Sequence, residues 1–83
     1  MKQSNMLRCT ITSPEKTTVY KNIASITLPG ISGEIQIWPG HAETFILLQA
    51  GNVTLRQATT KEERIQITSG ECHVKNDTIR VIL

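Results

Sequence analysis

The sequence predicts an all-β fold: a two-sheet β-sandwich of short antiparallel strands with no substantial helix. Apolar residues recur at every second position along most of the chain, the period of a strand with one face buried. Pairs of turn-forming residues break that alternation at about 8-to-12-residue intervals, as in a sandwich or small barrel. No window places apolar residues at i, i+3, i+4 and i+7, so an amphipathic helix has no stripe to bury.

Leu7, Cys9 and Ile11 alternate with Arg8, Thr10 and Thr12 and open the fold as a strand that ends at Ser13-Pro14. Ala24, Ile26 and Leu28 alternate with Ser25 and Thr27 and run to a turn at Pro29-Gly30. Ile35 and Ile37 flank Gln36 in a short strand between Ser32-Gly33 and Pro39-Gly40, and at most a short turn of helix is expected near His41 to Thr44. Val53 and Leu55 flank Thr54 after Gly51-Asn52. Lys61-Glu62-Glu63-Arg64, the only charge cluster, reads as a solvated hairpin connection. Ile65 and Ile67 then flank Gln66, and Cys72 and Val74 flank His73 between Ser69-Gly70 and Asn76-Asp77. Ile79, Val81 and Leu83 close the chain in alternation with Arg80 and Ile82. The Thr, Ile and Val content agrees, because branched side chains suit a pleated surface and crowd a helix turn.

Eighty-three residues, read as one domain over 1–83, bury only about 60–65% of the surface the unfolded chain exposes, so a partner would add useful stability. With 39% hydrophobic and 19% charged residues the chain has enough apolar content to fold. Its net charge of +2 is scattered, which excludes a basic tail for neutralising phosphates. The longest apolar run, Phe45 to Leu48, is far short of the roughly 20 residues of a membrane helix. The N-terminus has no apolar segment of a secretory signal, and two widely spaced cysteines suit reduced thiols, so a cytosolic compartment is expected.

Little in the sequence points to chemistry. Cys9, His41, Cys72 and His73 are the only Cys and His residues, and Cys72 and His73, being adjacent on a strand, point to opposite faces and cannot chelate one ion. The same geometry defeats a Cys–His nucleophile. Glu34 with Glu43, or Glu62 with Glu63, read as solvated carboxylates in the absence of an apolar cleft. Gly30, Gly33 and Gly40 never form a phosphate-binding loop ahead of a helix. No catalytic residue, metal or cofactor is therefore expected. A small nucleic-acid-binding barrel of the OB or cold-shock type is the alternative. Tyr20, Trp38 and Phe45 fall one to a segment, without flanking Lys or Arg at period two, and so lack its stacking face.

The most informative stretch is Leu28 to Ala42, where two Pro-Gly pairs bracket a Ser-Gly tip; it is either a pair of ordinary hairpin turns or a low-bulk surface for close approach. Ser32-Gly33-Glu34-Ile35 followed by Trp38-Pro39-Gly40-His41-Ala42 resembles the signature of the N-terminal β-sandwich domain of the epsilon subunit of F-type ATP synthases. Ile11-Thr12-Ser13-Pro14-Glu15, Gly51-Asn52-Val53-Thr54-Leu55 and Ser69-Gly70-Glu71-Cys72-His73-Val74 extend the resemblance over about Leu7 to Leu83. The sequence departs from the family pattern at Gln36 (usually Gly), Trp38 (Leu or Tyr), Glu43 (Pro) and Glu71 (Gly). It also stops where family members usually continue into a C-terminal helical pair, which resembles the short forms made of the sandwich alone.

The resemblance implies a non-catalytic rotor subunit of the central stalk, peripheral to the cytoplasmic face of the inner membrane. It would bind the gamma subunit and the c-ring within the alpha/beta/gamma/delta/epsilon complex and couple ion translocation to ATP synthesis. Ser32, Gly33 and Glu34 would then meet the c-ring, with Glu34 pairing a cation or accepting hydrogen bonds; the alternative is a merely solubilising charge. Ser13, Trp38, His41 and Ile46 would lie on the gamma side. Trp38 reads equally as an interface anchor or a cap on the core, and His41 as a hydrogen-bonding turn residue or a titrating group. The hydrolysis brake and ATP binding of the family belong to the helical pair and are not expected of these residues.

Overall fold

A computed structural model describes residues 6–59 and 61–83. Eight strands follow in order: β1 (Leu7–Thr12), β2 (Thr17–Gly30), β3 (Gly33–Ile37), β4 (Thr44–Leu48), β5 (Gly51–Gln57), β6 (Glu62–Ile67), β7 (Gly70–Lys75) and β8 (Thr78–Ile82). They form one continuously hydrogen-bonded sheet folded into two layers, β3-β2-β5-β6 and β1-β8-β7-β4, which share β2 as their hinge. The N-terminal half of β2 pairs with β1, its C-terminal half pairs with β3 and β5, and Gly30 bridges to Leu48 of β4. β1, β8, β7, β4 and β2 thereby close into a ring, leaving β3 and β6 as the edges. All pairings are antiparallel except β1 with β8, which run parallel.

Every strand contributes to one apolar core, with Leu7, Cys9, Ile11, Ile23, Ile26, Leu28, Ile37 and Val53 among its members. Ile26 sits directly opposite Ile37 on one side and Leu55 on the other, a row of three side chains with no solvent exposure. Such rows are the unit of sheet stabilisation. The alternation expected for β1, β3, β5, β7 and β8 is present, and Asn76 and Asp77 form the β7–β8 turn with φ of 51° and 58°, the pair of positive values a tight hairpin needs.

Four local expectations are corrected. No helical turn forms near His41 to Thr44; His41 to Glu43 is irregular and Thr44 begins β4. Pro29-Gly30 is the end of β2, paired with Glu34 and Gly33, and the turn is Ile31-Ser32. A Cβ at Gly30 would stand 2.7 Å from the Gly33 carbonyl oxygen, so the hairpin closes only around a residue without a side chain. Glu62, Glu63 and Arg64 lie within β6 rather than in a connection. Charge on this unpaired edge opposes association with another strand. Finally, β2 is 14 residues long, not short. Its register shifts between Ile23 and Ser25, beside Asn22 with its φ of 59°, which lets one strand serve both layers.

Candidate functional site

β4 is apolar on both faces. Ile46 and Leu48 point into the core, and Phe45 and Leu47 point outward, Phe45 being 75% exposed. Cross-strand pairing extends this outer face into two rows, Leu47-Glu71-Ile82 and Phe45-His73-Arg80, running over β4, β7 and β8. Between them lies a shallow hollow of about 420 Å³ walled by Phe45, Leu47, Glu71, His73, Arg80 and Ile82. Ile31 of the β2–β3 turn joins the same surface, because its N–H donates to the Leu47 carbonyl at 2.9 Å. Four exposed large apolar side chains, Ile31, Phe45, Leu47 and Ile82, are thus gathered on one side. These side chains are interleaved with Glu71, His73 and Arg80, so the face is apolar with a charged row through it.

The outer face is stiffened at its margin. His73 Nε2 lies 2.8 Å from Glu43 Oε2, and the imidazole stacks on the Phe45 ring with centroids 4.2 Å apart and planes 4° from parallel. The hydrogen bond from His73 holds the Glu43 carboxyl below its ordinary value, with Lys75 and the charge of His73 assisting. A depressed carboxylate contributes stability above its unfolded value and loses it as pH falls through the folded one. Nearby, the Gly40 N–H donates to Asp77 Oδ1 at 2.7 Å, pinning the Pro39-Gly40 turn to the β7–β8 turn.

The residues singled out from sequence do not form one site. Ser32, Gly33 and Glu34 are exposed at the β2–β3 tip, contiguous through Ile31 with the apolar face. Ser13 lies on the β1–β2 turn, where its N–H donates to the Lys16 carbonyl at 2.8 Å and its Oγ accepts from the Lys16 N–H. Trp38 is 48% exposed and so does not close the core. Trp38→Ala is expected to change the stability of the free domain by less than about 1 kcal/mol, measured by urea unfolding. His41 donates its backbone N–H to the Trp38 carbonyl at 3.2 Å, and its Nδ1 lies 2.7 Å from the Ala42 carbonyl oxygen, as a turn residue would. Ile46 is a correction: at 8% exposure it belongs to the core, and its strand neighbours Phe45 and Leu47 are the ones that face outward.

The thiols of Cys9 and Cys72 are both pushed up to about 12 by burial, with the neighbouring Cys72 adding to the effect at Cys9. They are inert core groups at neutral pH. Among the described residues no group of three or more His, Cys, Asp or Glu could hold a metal ion, and no helix is long and apolar enough to cross a membrane.

Fold and surface together define a small β-sandwich whose distinctive feature is an apolar outer face. Residues 6–83 match the family described as "ATP synthase, Delta/Epsilon chain, beta-sandwich domain", and the chain belongs to that family. The ATP synthase epsilon chains of Wolinella succinogenes and Moorella thermoacetica are each 33% identical to it over 76 residues, which make up 92% of this chain and 56% and 57% of theirs. The chain therefore spans little more than half the length of these relatives. Among solved structures, a chain of the Euglena gracilis mitochondrial ATP synthase (OSCP/F1/c-ring, rotational state 1) superposes with a TM-score of 0.85 at 21% identity, covering 96% of this chain and 51% of that one. A chain of the Tetrahymena thermophila mitochondrial ATP synthase central stalk/c-ring gives 0.77 at 15% identity, covering 98% and 65%. At such identities these two show the fold.

Proposed function

We propose that the chain works as a central-stalk element of an F-type ATP synthase, joining the gamma subunit to the c-ring so that rotation and catalysis stay coupled. The observation that carries this reading is the family match over nearly the whole described chain. The apolar outer face supports it, since a stalk element needs a surface that binds tightly without reacting, and Phe45, Leu47 and Ile82 offer one for gamma. Trp38, Ser13 and His41 lie apart from that face and would contribute separate gamma contacts. The exposed Ser32-Gly33-Glu34 tip would rest on the polar loops of the c-ring, and the assembly would stay peripheral to the membrane.

The test is reconstitution. Membrane vesicles carrying an F-type ATP synthase without this chain are expected to regain gradient-driven ATP synthesis when it is added, and affinity capture is expected to recover gamma. Full ATP yield without it would overturn the reading. Glu34→Lys is expected to weaken attachment to the membrane sector several-fold while the circular dichroism of the free domain stays unchanged, because the side chain is solvent-exposed. Coupling equal to wild type would refute the role given to the tip.

A further inference from the structure

The exposed Phe45 ring is not free to roam. It lies flat on His73, which faces it across the β4–β7 ladder, and His73 is itself held by Glu43. These three groups come from β4, β7 and the β3–β4 connection, and they meet at the rim of the hollow in the apolar face. The charged groups around the imidazole are Glu43 in contact, Arg80 opposite on β8, and Glu71 and Lys75 two positions away on either side of its own strand. Glu43 and Glu71 favour a positive ring; Arg80 and Lys75 oppose it. Glu43 alone of the four is hydrogen-bonded to it.

The proton inventory of imidazole makes this arrangement sensitive to pH. A protonated ring carries N–H on both nitrogens, so the one facing Glu43 always donates, and the bond is charge-assisted. A neutral ring divides between two tautomers, and only the form with hydrogen on Nε2 can donate to the carboxylate. Losing the proton therefore loosens the imidazole, and with it the aromatic ring stacked on it.

We propose that His73 is a proton-sensitive positioning residue for Phe45, clamped by Glu43 and holding the phenyl ring in one orientation when protonated, and releasing it as the proton leaves. Histidine is the side chain whose charge ordinarily changes between about pH 5 and 8, so the apolar face is offered in a stiffer form toward the acid end of that range. Resting on the gamma-docking reading above, the consequence is tighter association at lower pH, because a pre-set ring loses less freedom on binding.

Phe45 is the only phenylalanine in the chain, so its ring carbons can be followed by NMR without ambiguity. In the intact chain, the ring signals are expected to move in a single step as the imidazole changes charge. The step is expected to vanish in His73→Gln and to persist in His41→Gln. Ring signals that ignore pH, or a step that survives in His73→Gln, would overturn the proposal. A second titration follows gamma binding at pH 6 and pH 8. Tighter binding at pH 6, equalised in His73→Gln, is expected, and equal affinities in the wild type would overturn the docking consequence. Absence of gamma binding at both values would instead count against the proposed function, and the ring titration would still decide the role of His73.

Discussion

Ile26→Ala is expected to lower the unfolding free energy by about 2–5 kcal/mol, the range for deleting a large buried aliphatic group and leaving part of its volume empty. At about 0.05–0.15 kcal/mol per residue, a chain of 83 residues has roughly 4–12 kcal/mol in total, so this one change removes a large share. The site makes collapse of the cavity difficult. Ile26 is fully buried in the middle of β2, between Ile37 of β3 and Leu55 of β5, and both neighbours are fixed by their own ladders. Urea unfolding followed by circular dichroism measures the effect, and a loss below about 1 kcal/mol would contradict the packing described.

On the proposed gamma-docking reading, Phe45→Asp is expected to weaken gamma binding by at least about 2 kcal/mol, some thirtyfold in affinity, while leaving the melting temperature of the free chain nearly unchanged. The asymmetry follows from geometry. Phe45 is mostly exposed and the fold spends little on it, whereas in a complex its burial would place a carboxylate in an apolar contact. Ile46→Asp makes the contrast, since the adjacent side chain lies in the core and its replacement is expected to unfold the domain. Calorimetric titration with gamma and thermal melts of both variants separate the two effects. Wild-type affinity in Phe45→Asp would remove this face from the interface.

Most of the fold was legible because most strands have one wet face. Leu7-Cys9-Ile11, Val53-Leu55 and Cys72-Val74 alternate cleanly, and the structure buries each of those residues. β4 escaped for an instructive reason: Phe45-Ile46-Leu47-Leu48 has no polar position to mark its outer side, so period two is invisible. The property that hid the strand is the one that leaves its outer face apolar. The reading that put Ile46 on the surface fell one residue from the exposed Phe45 and Leu47, and in a strand one residue is the other side of the sheet.

The N-terminal half of β2 escaped because the irregularity beside Asn22 resets the phase between Thr17 and Ile26. Glu62 to Arg64 looked like a loop because an edge strand can be solvated on every side chain. The Glu43–His73–Phe45 cluster could not be found from spacing, since it joins residues 30 positions apart. Glu43 as a departure from the family's proline was the only hint.

The closed circuit of strands through β1, β8, β7, β4 and β2 has a mechanical corollary. In an open sheet, a sideways pull on a terminal strand can peel its hydrogen bonds off one at a time, each failing before the next is loaded. Around this circuit the ladders are continuous except between β2 and β4, which a single Gly30–Leu48 bridge joins, so a load at Phe45 passes first into the β4–β7 ladder. Compliance in the domain would then reside in the β2–β4 bridge, the β3 and β6 borders and the turns.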